Sequence, residues 1–297
     1  MRFTTLLVDM VLVFPAVYLL TTLFNRKLPQ IFLLILLIKP DAIFIDHGHF
    51  QYNDIVIGLI LLSFYCLLTE RYYLTCFLFT ISIHAKQMSV YYSLAFLSAL
   101  IGLTYQQLKY DKVRVIVELL KYGMIVMIVS LLIWLPWLGT KEDLNSVLTA
   151  IFPVHRGLYQ LKVGNFWCIT DTLLQWEKYF SKSVLVALCF LSSVFFSIPS
   201  MVSMILHPTR RALVIGFATV SMTFFMFSYH VHEKSILLPL AVMPFVGEII
   251  GGWLAHEVIV AGCAGMFYLL KEDGQLWGYF GLGIIYILIS GSYTMLK

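Results

Sequence analysis

Long apolar runs follow one another from residue 3 to residue 295 of the sequence, with few charged residues between them. A helix that crosses a bilayer needs about 20 mostly apolar residues, and backbone polar groups are satisfied there only in helices and closed barrels. The chain has room for about ten or eleven spans, which lie near residues 3–24, 31–45, 55–69, 72–83, 88–103, 115–138, 183–206, 211–229, 236–251, 253–270 and 276–295. The predicted fold class is an all-α polytopic membrane protein.

The composition excludes a soluble globular protein. Hydrophobic residues make up 60% of the chain and charged residues only 12%, whereas soluble domains are about 25% charged. The formal net charge of +4 is spread over loops, so it does not indicate a nucleic-acid partner. We therefore expect a single transmembrane domain over residues 1–297, with little chain left for a soluble domain.

Charge in the loops predicts their sidedness, because loops rich in Lys and Arg stay cytoplasmic. With eleven spans, three basic loops fall on one side: Arg26-Lys27, 109–114 and Arg210-Arg211. The opposite face then collects six of the eight histidines in four loops, at 46–54, 84–87, 139–182 and 230–235. We expect a polar site on this exoplasmic or lumenal face.

Two interruptions of the apolar pattern point to a polar cavity. The runs at 72–83 and 88–103 are either two short helices or one broken helix, and Lys39-Pro40-Asp41 interrupts the run at 31–45. Proline breaks a helix, and in a membrane such a break is tolerated where protein or a watery cavity satisfies the backbone.

The histidines of the polar loops have competing interpretations. His47, His49 and Asp54 are possible metal ligands, but no third convergent ligand is evident, so we predict no metal site. His230, His232 and Glu233 form either an interfacial cluster or a substrate contact.

Lys86 lies between apolar runs without an adjacent acid, so its side chain either snorkels to the surface or binds an anion, which we favour. Three further cations belong to the same face: Arg156, Lys162 and Lys234. Cations together with imidazoles suit a phosphate better than a neutral solute. Three acidic residues within or beside spans are interpreted as packing or interface groups: Asp9, Glu118 and Glu257.

The stretch 139–182 is too long for a simple connector. Apolar residues from Leu144 to Phe152 recur at helical spacing, and Pro153 ends the pattern. This stretch is predicted to be a lumenal loop with an amphipathic segment on the membrane surface; the alternative is a loop that merely covers the bundle.

Four separated blocks resemble one family: residues 46–53 (DHGHFQYN), Lys86-Gln87-Met88, residues 152–168 (FPVHRGLYQLKVGNFWC) and residues 231–239 (VHEKSILLP). They are similar to the endoplasmic-reticulum glucosyltransferases that extend the dolichol-linked oligosaccharide of N-glycosylation. Gly48, Lys86-Gln87 and the run ending at Cys168 resemble the member that adds the first glucose, and the member that adds the second is the alternative.

The resemblance implies a GT-C fold in the endoplasmic-reticulum membrane, with the polar site facing the lumen. It implies dolichyl-phosphate-glucose as donor, Man9GlcNAc2-diphosphodolichol as acceptor, and an inverting α-1,3 transfer without metal or cofactor. The expected phosphate or sugar contacts are His47, His49, Lys86, Arg156, His232 and Lys234. Asp46 and Glu233 are expected to orient a neighbouring histidine or lysine.

The chain departs from the family pattern at its start. The family's first span and its first lumenal loop, which carries the catalytic base Asp, come ahead of the segment that residues 1–9 resemble. We expect both to be missing from this chain, so the catalytic residue is unknown. We expect residues 1–297 alone to have no glucosyl transfer activity. The chain is then either a truncated gene model or a short chain that has lost or rerouted catalysis. A different class stays open, because broken helices and an intramembrane lysine also suit a transporter or a lipid-binding scaffold.

Overall fold

A computed structural model describes residues 2–24, 29–49, 51–109, 111–151 and 163–296. Across these ranges the chain is helical and contains no strand. The first helices are α1 (Arg2–Val8), α2 (Phe14–Phe24), α3 (Pro29–Leu37), α4 (Pro40–Ala42), α5 (Asn53–Leu68), α6 (Tyr72–Ala85) and α7 (Ser93–Gln107). Two π-helical turns, Asp9–Val13 and Ile43–Gly48, and a 3-10 turn, Gln87–Tyr92, lie between them.

The remaining helices complete the bundle. They are α8 (Lys112–Trp134), α9 (Lys141–Ile151), α10 (Phe166–Leu174), α11 (Trp176–Tyr179), α12 (Lys182–Leu206), α13 (Arg210–Phe227), α14 (Leu237–Ile250), α15 (Gly252–Gly265), α16 (Phe267–Glu272) and α17 (Leu276–Leu296). Short 3-10 turns occupy Leu135–Trp137 and Glu233–Ile236.

Six helical segments among the described residues are long and apolar enough to cross a membrane: Phe3–Phe24, Gln87–Gln107, Lys112–Trp137, Lys182–Leu206, Arg210–Phe227 and Leu276–Leu296. The apolar helices α5 and α6 are shorter than these six. The prediction of an all-α polytopic membrane protein is confirmed, since several spans alternate with short loops. The count of ten or eleven spans stays a prediction.

The centre of the bundle is formed by α5 and α14, which contact each other. Every residue from Leu237 to Gly247 in α14 is buried, and α5 is buried over most of its length. A helix that is apolar all round is suited to this position, because it has no polar face to turn toward water. Around the centre, α6 packs on α5, and α13 packs on both α12 and α14.

The outer helix α8 exposes many apolar side chains. In α8, Val113 is 72% exposed, Leu120 63% and Leu132 66%. Contiguous apolar surface of this kind is rare on soluble monomers. Apolar exposure on this scale suits a helix that lies against the hydrocarbon region of a membrane.

Both interruptions predicted from sequence are breaks in the helices. Lys86 has an extended backbone (φ −159°, ψ 128°) between α6 and the 3-10 turn that leads into α7. The two apolar runs are thus two helices joined at Lys86. Lys39 is likewise non-helical (φ −57°, ψ 120°) and separates α3 from α4.

The stretch 139–182 contains α9, α10 and α11, while residues 152–162 lie outside the described ranges. The indole Nε1 of Trp167 in α10 donates a 2.7 Å hydrogen bond to the carbonyl oxygen of Phe227, at the end of α13. Trp167 also forms a small separate core with Leu185 and Cys189 of α12. Part of this stretch is therefore anchored on the bundle, and the surface role of its amphipathic segment stays a prediction.

Candidate functional site at the HGH segment

The HGH segment, residues 46–54, begins in the π-helical turn Ile43–Gly48 and ends in the first turn of α5; Phe50 is outside the described residues. Asp46 is fully buried. Its Oδ1 accepts hydrogen bonds from the backbone N of Asn53 at 2.9 Å and from Asn53 Nδ2 at 2.8 Å. A carboxylate at the start of a helix accepts hydrogen bonds from amide groups that lack intrahelical partners. Asp46 therefore links the HGH segment to the first turn of α5.

Asn53 also binds Lys86. The ammonium group of Lys86 donates a short hydrogen bond to Asn53 Oδ1, and Gln51 Oε1 lies 3.4 Å from it. Asp46 is thus linked to Lys86 through Asn53, across the break between α6 and α7. The extended backbone at Lys86 brings its side chain to the HGH segment.

The electrostatics of this cluster reflect its burial. Burial lowers the pKa of Lys86, the charge of Lys234 acts in the same direction, and the charge of Asp46 opposes both. Burial also raises the pKa of Asp46 to about 6, against the hydrogen bonds to that carboxylate and the charge of Lys86. An ammonium with few neutralising charges in a partly dry site is suited to bind an anion.

His47 belongs to a second group of contacts. Its Nε2 lies 2.6 Å from Asp9 Oδ2 and 4.0 Å from Asp54 Oδ2. Reasoning from sequence missed the role of Asp9, which it treated as a packing or interface group. The only available signal was an acid inside an apolar span, which is usually functional. The π-helical turn Asp9–Val13 positions this acid, and contacts α5.

His49 contacts the C-terminal part of the chain. Its Nδ1 lies 2.6 Å from Asp273 Oδ2, in the turn between α16 and α17. Beside it, a Cβ on Gly48 would meet Gln275 Oε1 at 2.1 Å. The end of the Gln275 side chain therefore fills the space beside Gly48, and no sequence signal identified Asp273 or Gln275.

The segment 230–235 contributes the remaining candidates. His230 has a left-handed backbone (φ 54°), and its ring packs edge-on against that of His232, with centroids 5.2 Å apart. Glu233 Oε2 is buried and accepts no hydrogen bond from the described residues. Because the charge of Lys234 acts on Lys86, this segment lies near the HGH segment. Arg156 and Lys162, predicted for the same face, lie outside the described residues.

The structure thus joins Lys86 directly to the HGH segment and brings Lys234 within electrostatic reach. His47 and His49 lie in the same segment but contact different carboxylates. Chemically, the cluster offers ammonium groups and imidazoles that can bind a phosphate, and carboxylates that orient them.

The chain is similar to known glycosyltransferases. The model of the ALG6, ALG8 glycosyltransferase family matches residues 1–297. A relative from Arabidopsis thaliana, named a probable dolichyl pyrophosphate Man9GlcNAc2 alpha-1,3-glucosyltransferase, is 33% identical over 97% of this chain and 54% of its own length. Relatives with the same name, without "probable", occur in Saccharomyces cerevisiae (32% identical, 81% of this chain, 45% of the relative) and in Gallus gallus (32%, 94% and 55%).

The chain therefore spans about half the length of the curated relatives it matches. The matched region nevertheless includes the whole chain, with its membrane helices and its HGH segment. On this ground the chain belongs to the ALG6, ALG8 glycosyltransferase family.

Proposed function

We propose that the chain serves the transfer of glucose from dolichyl-phosphate-glucose to Man9GlcNAc2-diphosphodolichol in N-glycan precursor assembly. The transfer forms an α-1,3 linkage with inversion, in a GT-C-type bundle of about ten or eleven spans. The HGH segment faces the lumen of the endoplasmic reticulum. The names of the relatives support the acceptor and the linkage, and the ALG6, ALG8 family match supports the location.

The observation that carries the proposal is the placement of Lys86. Its ammonium is half-buried, is held by the side chains of Asn53 and Gln51, and is influenced by the charge of Lys234. An inverting transfer from a lipid phosphate needs positive charge where the phosphate departs. In this proposal Lys86 and Lys234 bind that phosphate, and His47, His49, Arg156 and His232 contact phosphate or sugar.

Carboxylates have two roles in this reaction. A base must remove the proton of the acceptor hydroxyl, and the family resemblance assigns that role to an Asp of the first lumenal loop. Asp46 and Glu233 are instead orienting groups in this proposal. The contacts of Asp46 with Asn53 support this role, since Asn53 in turn binds Lys86.

The experiment compares two proteins. One is the chain of residues 1–297, and the other is a fusion in which the first lumenal loop of the Arabidopsis relative is joined ahead of Met1. Both are purified into nanodiscs and given dolichyl-phosphate-glucose with Man9GlcNAc2-diphosphodolichol. We expect the fusion to transfer glucose, and the chain of residues 1–297 is measured beside it. Lys86→Met in the fusion lowers kcat/KM by more than about 100-fold, whereas Lys178→Met, an exposed cation in α11, leaves it unchanged.

Acceptor choice separates the first-glucose from the second-glucose reaction. The fusion is expected to use Man9GlcNAc2 and to leave an acceptor that already carries one glucose unchanged; the reverse preference would assign the second-glucose reaction. A folded fusion that transfers to neither acceptor refutes the proposal. Full activity of Lys86→Met removes Lys86 from the phosphate site.

A further inference from the structure

Asp9, His47 and Asp54 form a compact group in which each residue offers one ligand atom, and these atoms all lie within 4.8 Å of one another. The Asp9 and Asp54 side chains are 8% and 5% exposed, and that of His47 is 33% exposed. The three residues come from different parts of the chain: a π-helical turn near the N-terminus, the HGH segment and the start of α5. They meet where these elements pack together.

The group has more acceptors than donors. His47 Nε2 lies 2.6 Å from Asp9 and 4.0 Å from Asp54, so the single N–H at that atom reaches Asp9 alone. Asp54 Oδ2 is buried and accepts no N–H or hydroxyl hydrogen bond from the described residues, while the Asp54 carboxyl contacts those of Asp46 and Asp9. A buried carboxylate oxygen without a donor is costly.

We propose that Asp9, His47 and Asp54 bind one divalent transition-metal ion, of the Mn²⁺ or Zn²⁺ class. Two carboxylates neutralise the two charges of the ion, and a neutral imidazole supplies the third ligand. Mixed nitrogen and carboxylate sets suit these ions. The ion gives Asp54 Oδ2 the partner that it lacks.

The separations of the ligand atoms can be compared with those around a tetrahedral ion: two are known, and the third is at most 4.8 Å. Ligand atoms about 2.1 Å from a tetrahedral ion are about 3.4 Å apart, and the separations of 2.6 and 4.0 Å lie on either side of that value. The partly exposed ring of His47 also lines a cavity of about 480 Å³ with Phe44, Gly48 and Gln275. This cavity gives an ion and its water ligands a route to the site.

The role of the ion is structural. It links the N-terminal helical segment to the HGH segment and to α5, and so holds the region from which Asn53 reaches Lys86. It takes no part in the chemistry of transfer, so the metal-independent reaction implied by the family resemblance is compatible with it.

The test is equilibrium binding of Mn²⁺ to the full printed chain in nanodiscs after treatment with EDTA, with free Mn²⁺ measured by electron paramagnetic resonance. We expect one saturable equivalent, displaced by Zn²⁺ because Zn²⁺ binds such ligands more tightly. Asp9→Asn and Asp54→Asn each weaken binding by more than about tenfold. Asp273→Asn, which alters a carboxylate beside the other histidine of the segment, leaves binding unchanged.

Infrared spectroscopy distinguishes an ion bound at this site from a proton shared between its carboxylates. A protonated carboxyl band that is lost in Asp54→Asn and persists in the wild type with saturating Mn²⁺ overturns the proposal, as does equal Mn²⁺ binding by wild type and Asp54→Asn. If the Asn variants do not fold, His47→Gln takes their place, since its side chain is partly exposed and the same tenfold loss is expected. Mn²⁺ must also raise the thermal midpoint of the wild type.

Discussion

The ammonium group of Lys39 donates a 2.8 Å hydrogen bond to the carbonyl oxygen of Leu240 in the central helix α14. The same group lies 3.0 Å from the carboxylate of Asp41, and both side chains are buried, at 7% and 1% exposed. Lys39 therefore joins the broken N-terminal helix to the core of the bundle. A buried charge pair, Lys39 with Asp41, thus lies at the break between α3 and α4.

Removal of Lys39 should destabilise the protein strongly. Lys39→Met leaves Asp41 charged and buried without its partner, which costs about 3–5 kcal/mol. The double variant Lys39→Met/Asp41→Asn should lose much less, because no charge remains buried. Unfolding in SDS, followed by circular dichroism, measures both; equal losses in the single and double variants would contradict this explanation.

Gly102 should not accept a larger side chain. A Cβ at this position would lie 2.2 Å from the carbonyl oxygen of Met204, a backbone atom of α12 that cannot turn aside. Gly102→Ala should separate α7 from α12 and cost about 1–3 kcal/mol. Gly123→Ala is the control, because a Cβ there meets nothing within 4 Å and helix propensity favours Ala by up to about 1 kcal/mol. Thermal midpoints of the two variants should move in opposite directions.

Lys234 and His232 should affect transfer by the fusion with the first lumenal loop. Lys234→Met removes a positive charge that acts on Lys86 and is predicted to bind phosphate, so transfer should fall by about tenfold or more, as for loss of a charged hydrogen bond. His232→Gln is expected to reduce transfer as well. Lys271→Met, an exposed cation at the end of α16, is the control. Unchanged rates for both site variants would exclude these residues from the site.

Asp273 should position His49. Asp273→Ala removes the carboxylate 2.6 Å from His49 Nδ1 and frees the ring to rotate, so transfer by the fusion should fall by about tenfold. Asp273→Asn retains a hydrogen-bond acceptor and should restore part of the rate. Glu272→Ala, at the exposed neighbouring position, should have no effect. A loss of the same size in Glu272→Ala would indicate a general disturbance of the turn instead.

Several helices could be predicted from hydropathy because the bilayer demands long apolar segments with internally satisfied backbones. The run predicted at 236–251 is α14 (Leu237–Ile250), and the breaks at Lys39 and Lys86 occur where charged residues interrupt apolar runs. Hydropathy did not indicate which helices are central. Runs that face lipid and runs that face other helices are both predominantly apolar, as in α8 and α14, so an apolar run alone does not tell one position from the other.

The candidate site was partly predictable from the sequence. Lys86 and the histidines of the HGH segment stood out because polar groups are rare in such a chain. Their partners did not stand out: Asp9 precedes His47 by 38 positions, and Asp273 follows His49 by 224. No local pattern connects residues so far apart.

The sequence by itself determined the class of the protein, since a chain so rich in apolar runs can bury its backbone only as membrane helices, and its polar blocks carry the family resemblance. The tertiary structure decided which charges meet. Packing of the N-terminal helical segment against α5 puts Asp9 beside His47, and the close approach of the C-terminal turn at Gly48 puts Asp273 beside His49. Such pairings depend on how helices are arranged in three dimensions, and apolar helices of similar composition leave that arrangement open until side chains interlock.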